Sequence, residues 1–303
     1  MKIEQSKEGG NDMERSMESQ AEESQANRQA PARGGRQGQR RQPNQPARPS
    51  ARPSARPSPP PGVCVLIHGI NGSPEDMREL GQILEARGYQ TRNLLLPGHG
   101  TTIHDFAQTG WEMWKQAVTG AADEALAERR PVFVVGHSLG AALALSVAAE
   151  RPQLAGVVAL CPPVRLYDVI AKAVAAARHI TPYLPAWGED IRDRKGARLR
   201  YRRDVYHWTS TAALHTLMTA LPRLRRQLPS ISVPALVIAA RHDHVVPVRD
   251  GREAFELIGS ERKELIVLHE SFHSVTKDCE RHIVNERVLA FCQAEAPRWQ
   301  ADA

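Results

Sequence analysis

Short apolar runs alternate with longer amphipathic segments from Val63 onward. Most of these runs are rich in valine, leucine and isoleucine and lack polar alternation, which is typical of strands buried on both faces. The predicted strands cover 63–67, 89–95, 132–135, 156–160, 235–239 and 264–268, and the predicted helices cover 74–87, 111–128, 138–150, 249–258 and 280–292. This alternation predicts an α/β fold with a mostly parallel sheet covered by helices on both faces.

One long interruption breaks the alternation, between 162 and about 228. It begins with an alanine-rich helical stretch at 171–180, turns proline- and aromatic-rich at 181–187, and ends in a second helical stretch at 210–221. An insertion of this size between two core strands predicts a helical cap over a site at the strand ends. Basic residues at 192–203 could bind anions, but we favour the interpretation that they form a solvated face of the cap.

The sequence Gly136-His137-Ser138-Leu139-Gly140 lies between a predicted strand and a strong helix former. A G-x-S-x-G pattern in the context of strand, turn and helix predicts a nucleophile elbow with Ser138 at its apex. The two glycines suit a turn in which strand and helix approach closely. The alternative is that Ser138 is an ordinary helix N-cap, which leaves both glycines unexplained.

A serine hydroxyl needs a base to accept its proton, and the loop after the last predicted strand offers two histidines. His273 lies farther into this loop than His269, so we favour His273 as the base. Because His269 follows the strand directly, a packed and hydrogen-bonded role suits it better.

The imidazole in turn needs a carboxylate to fix its tautomer. Asp243 follows the preceding strand and fits this role, whereas its competitor Asp250 lies where the next helix begins and suits a helix-dipole interaction. His242 and His244 would form a metal pair only with a third ligand, which the spacing does not supply, so no metal is predicted.

The turn after the first strand, 68–74, is flanked by glycines and predicts an oxyanion hole. In this interpretation the backbone N–H groups of Ile70 and Leu139 stabilise the oxyanion. We expect His68 and Asn71 to stabilise the turn. In the cap, Tyr183, Leu184, Trp187 and Leu217 are candidates for an acyl-chain pocket, although core packing explains them nearly as well.

The first part of the chain differs from the rest in composition. Of its 303 residues, those from 1 to 61 are almost without apolar side chains and include a short Ala-Arg-Pro-Ser repeat, so we expect a disordered tail. Its arginines could contact nucleic acid or an anionic membrane, but a solvated linker is favoured and no specific nucleic-acid partner is predicted. Much of the formal net charge of +6 lies here, so it says little about the folded part, predicted as 62–303.

The four cysteines (Cys64, Cys161, Cys279 and Cys292) are scattered without a C-x-x-C pair, which predicts free thiols in a reducing compartment. The start of the chain has no apolar signal region, and no apolar run is long enough to span a bilayer. We therefore expect a cytoplasmic protein. The chain has neither a P-loop nor a dinucleotide fingerprint, so no cofactor is expected.

Several motifs together resemble the α/β-hydrolase superfamily, and within it the bacterial carboxylesterases and monoacylglycerol lipases. They are HGINGSP at 68–74, the elbow, LPGHGTT at 96–102, DHVVP at 243–247, and SFH at 271–273 followed by Asp278. The resemblance covers nearly all of 63–293. It implies Ser138 as nucleophile, Asp243 as acid, His273 as base, and Ile70 and Leu139 as oxyanion donors.

The resemblance implies a serine esterase or lipase that acts on a small ester or a monoacylglycerol-type lipid through an acyl-enzyme on Ser138. Arg198 stands where some of these lipases have an acidic residue, which argues against monoacylglycerol as the preferred substrate. Two alternatives remain open. The same scaffold could act as an amidase, peptidase or thioesterase, or it could be a binding module that has lost catalysis.

Overall fold

The computed structural model describes residues 61–165, 168–186, 190–201 and 207–299, without the side chains of 168–171. These residues belong to one compact unit, Pro57–Ala303. The predicted tail, apart from Pro61, and the candidate pocket residue Trp187 lie outside the described residues. None of the described helices is both long and apolar enough to cross a lipid bilayer.

Six parallel strands form the central sheet, in the order β2-β1-β3-β4-β7-β8. They are β1 Val63–Ile67, β2 Gln90–Leu94, β3 Val132–His137, β4 Gly156–Leu160, β7 Ala235–Ala240 and β8 Lys263–Leu268; β5 and β6 belong to a separate two-stranded sheet. β1, β3, β4 and β7 are buried at every position, as their unbroken apolar runs predict. Parallel strands end at the same edge, so the loops after β1, β3, β7 and β8 meet there.

Helices cover both faces of the sheet, as predicted. They are α1 Arg78–Glu85, α2 Ile103–Ala107, α3 Trp111–Leu126, α4 Leu139–Ala148, α5 Asp168–Ala177, α6 Arg194–Arg200, α7 Thr211–Gln227, α8 Val248–Leu257 and α9 Arg281–Glu295. Alternate β1 residues point to opposite cores: Val65 packs with α3 and α4, and Leu66 with α1 and α9. This is the alternation that a strand covered on both sides requires.

The cap, residues 162–228, contains α5, α6, α7 and a two-stranded antiparallel sheet of β5 Tyr183–Pro185 and β6 Trp208–Ser210. The two helical stretches predicted from the sequence correspond to α5 and α7. The two-stranded sheet and α6 were not predicted, because three-residue strands and a seven-residue basic helix have little periodicity of their own. Arg194, Lys195 and Arg198 on α6 are exposed, in agreement with a solvated basic face.

Element boundaries differ from the predictions by a few residues. The largest difference is at 74–87, where a 3-10 turn, Pro74–Met77, precedes α1 instead of one continuous helix. Ser73 caps this turn and Asp76 bonds back to the Ser73 N–H, which forms a capping box. The turn fixes the end of the glycine-flanked loop after β1.

Candidate active site

Ser138 lies at the sharp turn between β3 and α4, with φ 55° and ψ −116°. A Cβ at Gly136 would lie 2.0 Å from the carbonyl oxygen of Gly140, and one at Gly140 would lie 2.3 Å from that of Ile67. Both glycines are therefore required by close backbone approach. The positive φ, and a side chain that makes no cap hydrogen bond, contradict the alternative of an ordinary N-cap.

The structure joins two of the predicted residues directly. His273 Nδ1 donates to Asp243 Oδ2 at 2.7 Å, and both side chains are almost completely buried. The other carboxylate oxygen of Asp243 accepts the N–H groups of Val245 (2.8 Å) and Val246 (2.7 Å). The Nδ1 bond fixes the tautomer of a neutral ring and leaves Nε2 as the proton acceptor.

The environment of Asp243 keeps its carboxylate ionised. Burial alone would raise the pKa of Asp243, but the charge and hydrogen bond of His273, with the two backbone donors, lower this pKa overall. An ionised carboxylate is what stabilises an imidazolium in proton transfer.

The loop after β1 carries Ile70, which lines the same cavity as Ser138. His99 Nε2 donates to the carbonyl oxygen of Ile70 at 2.7 Å and so fixes the peptide of this residue. The buried ring of His68 accepts the Leu96 N–H at 3.2 Å, which supports its predicted role in the turn. Burial and then the nearby His99 lower the pKa of His68 to about 4, so the ring is neutral.

Asn71 does more than stabilise its own turn, because its side-chain amide donates to Thr209 Oγ1 in the cap at 2.7 Å. Leu139, the second predicted donor, is the first residue of α4, where N–H groups have no partner within the helix. The positions of Ile70 and Leu139 are compatible with an oxyanion hole, and their roles stay predictions.

Sequence reasoning missed His137, whose buried ring donates from Nε2 to the carbonyl oxygen of His273 at 2.9 Å. Burial and then the charge of His273 lower the pKa of His137 to about 4, so the donor is a neutral ring. The variable position of the G-x-S-x-G pattern thus holds the loop of the predicted base. The pattern gives no signal for this contact, which joins residues 136 positions apart.

The competing residues lie elsewhere. His269 is exposed rather than packed, and its backbone N–H donates to Glu280. Asp250 is in the first turn of α8, as predicted, but it is also completely buried. Its Oδ2 accepts the N–H groups of Val164 and Arg165 at 3.1 and 2.9 Å, so this carboxylate holds the start of the cap.

A metal site finds little support in this geometry. His242 and His244 are exposed, and His244 Nδ1 bonds Asp190 at 2.9 Å. Among the described residues, Cys161, Asp243 and His273 are close enough to hold an ion, with ligand atoms within 4.8 Å. Burial, and then the charge of Asp243, raise the pKa of the Cys161 thiol, which disfavours the thiolate a metal would need.

All four cysteines are free thiols, as predicted.

A cavity of about 310 Å³ opens onto Ser138 and His273. The cap contributes a set of apolar side chains to its lining, namely Val174, Leu184, Pro185, Leu214, Leu217 and Met218. Leu184 and Leu217 were predicted for an acyl-chain pocket, whereas Tyr183, also described, is outside this lining. A cavity of this size and apolar character is typical of a small-molecule site.

The cavity also has a polar side, where Lys277 pairs with Asp76. The Lys277 side chain is 2% exposed and that of Asp76 is 12% exposed, so the pair is largely removed from water. Such a pair presents no net charge to a ligand.

Arg198, which argued against a monoacylglycerol, is exposed on α6 and is absent from the described lining.

Comparison with known proteins finds relatives that are named as a lipase and an esterase. The chain is 31% identical over 232 residues to the thermostable monoacylglycerol lipase of Bacillus sp. (strain H-257), covering 77% of this chain and 90% of the relative. It is 26% identical over 233 residues to a carboxylesterase of Bacillus subtilis (strain 168), covering 76% and 91%.

A solved structure from the metagenome-derived lipolytic enzymes LipS and LipT is 30% identical, with a TM-score of 0.72, over 78% of this chain and 94% of the other. This likeness confirms the predicted α/β-hydrolase fold. The family model for the serine aminopeptidases S33 matches residues 58–280, which is more than half of the chain. The chain therefore belongs to the serine aminopeptidase S33 family of α/β hydrolases.

Proposed function

We propose that the protein is a serine hydrolase that cleaves carboxylic esters through an acyl-enzyme on Ser138. The observation that carries the proposal is the 2.7 Å bond between His273 Nδ1 and Asp243, at a cavity that His273 shares with the strained Ser138. The names of the relatives, a monoacylglycerol lipase and a carboxylesterase, support this reaction class.

In the proposed mechanism, His273 Nε2 accepts the Ser138 proton while Oγ attacks the ester carbonyl. The N–H groups of Ile70 and Leu139 stabilise the oxyanion, each contributing about 3 kcal/mol to the lowering of the barrier. His273 then protonates the departing alcohol, and water hydrolyses the acyl-enzyme by the same route. Neither a metal nor a cofactor takes part.

The substrate class follows from the cavity. Its cap side is apolar and suits an aliphatic acyl chain, while Asn71, Asp76 and Lys277 lie on a polar side that suits an alcohol group. The family description names an aminopeptidase, whose substrate carries an ammonium group. Asp76 is an acid in the described lining and is already paired with Lys277, so the cavity favours an uncharged ester, including a monoacylglycerol.

A substrate panel tests the proposal. It contains p-nitrophenyl esters of increasing acyl length, a monoacylglycerol, an acyl-CoA thioester and an aminoacyl p-nitroanilide. We expect the highest kcat/KM on the esters, and turnover of the anilide alone would refute the ester assignment.

A fluorophosphonate probe tests the nucleophile separately. Wild-type protein should be labelled on Ser138, and the Ser138→Ala variant should be neither labelled nor active. Ser146, buried within α4, provides the control, because Ser146→Ala should keep both labelling and turnover. A wild-type protein that resists labelling would support the alternative of a non-catalytic binding module.

A further inference from the structure

Two carboxylates connect the cap to the loop that carries His273. Asp278, on that loop and completely buried, accepts the N–H groups of Arg192 and Asp193 in the cap, both at 3.0 Å. In the opposite direction, Asp190 of the cap accepts N–H groups from the loops that follow β7 and β8. The contact is therefore reciprocal, and each side supplies a carboxylate to backbone donors of the other.

The contacts of Asp190 converge on the proposed base. Its Oδ2 accepts the N–H of His273 at 3.1 Å and the N–H of His244 at 3.1 Å, while its Oδ1 bonds His244 Nδ1 at 2.9 Å. Its own carbonyl oxygen accepts the Ser274 N–H at 3.0 Å. One residue thus bonds the backbone of His273 and of the residue that follows Asp243.

His273 is held at three points by different parts of the molecule. Asp243 bonds its ring, His137 bonds its carbonyl oxygen, and Asp190 bonds its N–H. Of these three partners, Asp190 belongs to the cap. Charge-assisted hydrogen bonds to backbone N–H groups are among the stronger ones, and a shift of about 1 Å in a catalytic group can reduce turnover on the order of 10²-fold.

We propose that Asp190 is a positioning residue for the general base, so that the cap acts on the chemical step as well as on substrate selection. The carboxylate aligns the His273 backbone with the Asp243 loop and touches neither the substrate nor the reacting atoms. This inference rests on the proposed function, because it presupposes that His273 activates Ser138.

The test uses two substitutions of nearly equal size in the full-length chain. Asp190→Leu removes the hydrogen-bond acceptor, whereas Asp190→Asn keeps one oxygen that can accept both N–H groups. With p-nitrophenyl acetate, whose short acyl group does not need the apolar cap lining, we expect Asp190→Leu to lower kcat about 30-fold with KM changed less than about 3-fold. Asp190→Asn should stay within about 3-fold of wild type in both constants.

Asp193→Ala is the matched control, because this carboxylate lies in the same segment but bonds Gly196 and Arg200 of α6. It should leave kcat within about 2-fold of wild type. Asp190→Ala repeats the measurement in case the leucine variant does not fold, and thermal unfolding identifies the folded variants.

Either of two results would overturn the proposal: an unchanged kcat in a folded Asp190→Leu or Asp190→Ala protein, or a rise in KM alone. The rate of fluorophosphonate labelling should fall by the same factor as kcat. Labelling needs an activated serine but no particular acyl group, so it tests the role of Asp190 even if the protein turns over no ester. A failure of the Asp190 proposal can therefore be distinguished from a failure of the proposed ester hydrolysis.

Discussion

The sheet core and the cap are stabilised in different ways. Core strands such as β1 and β3 are completely buried, and every residue of α4 is buried as well. The two-stranded sheet of the cap has strands of three residues, and polar contacts such as Asn71 to Thr209 and Asp278 to Arg192 connect the cap to the rest of the protein. The core therefore fixes its residues through chain geometry, while the cap, apart from α7 and its buried leucines, depends on directional bonds that single substitutions can remove.

This contrast predicts that substitutions in the core change catalysis or folding, and that those in the cap change selectivity, with Asp190 as the exception. The largest effect is expected at Asp243. Asp243→Asn should lower kcat about 10⁴-fold without unfolding the protein, because the amide favours the wrong tautomer of His273. Steady-state kinetics measure the fall in kcat, and thermal unfolding shows whether the variant stays folded.

Asp250→Asn is the control for that experiment, since Asp250 is also buried but holds the start of the cap. It should reduce stability more than turnover. An equal loss of activity in both variants would contradict the assignment of the acid.

The next effect concerns the elbow. Gly140→Ala places a Cβ against the Ile67 carbonyl oxygen and should destabilise the fold by about 4 kcal/mol or prevent folding. Gly120, in the middle of α3, has open space where a Cβ would be, so Gly120→Ala should stabilise the protein by about 0.5–1 kcal/mol. Urea unfolding measures both, and a stable Gly140→Ala protein would show that the elbow is looser than described.

Acid should weaken the core through its buried histidines. His68 and His137 have pKa values lowered to about 4 by burial, so between pH 6.5 and 4 the unfolded chain binds protons that the folded one does not. The unfolding free energy should therefore fall as pH drops through this window, by about 3 kcal/mol for each ring at its lower end.

Unfolding curves at several pH values test this. His68→Gln should make the dependence shallower, and His215→Gln should do so to a smaller degree, since burial also lowers the pKa of His215 in the cap but this ring is far less buried than His68. If the unfolding free energy of His68→Gln depends on pH as that of the wild type does, the pH dependence does not arise from His68.

The smallest effect is expected in the cap lining. Leu184→Ala shortens a side chain of the cavity and should raise KM for a long-chain p-nitrophenyl ester about 10-fold, which corresponds to about 1.4 kcal/mol of lost apolar contact. Turnover of the acetate ester should stay unchanged. A uniform loss on all esters would mean that Leu184, like Asp190, acts on the chemical step.

The same division between core and cap explains what the sequence could predict. The strands and the elbow were predictable because continuous burial and the two glycines are local requirements. His99, His137 and Asp190 act through bonds to residues distant in sequence, which no local pattern encodes. The order of Asp243 and His273 after successive strands predicted their meeting, but not how the loop of His273 is held.

The two-stranded sheet of the cap and α6 were not predicted for a related reason. Arg78 and Asp278, which bond α6 and the segment before it, lie in other parts of the chain. A segment stabilised by contacts with distant residues has little sequence signature of its own.

The position of α7 limits how the cap could be exchanged. β4 and β7 are parallel neighbours, so the chain leaves one edge of the sheet after Leu160 and must return to the opposite edge before Ala235. The 17 residues of α7 span about 25 Å and make this return, with Leu217, Leu221 and Leu224 packed into the core. The helix is thus both a wall of the cavity and the crossover of the sheet. A chimaera that transplants a foreign lid must retain it, and the interchangeable module ends where α7 begins.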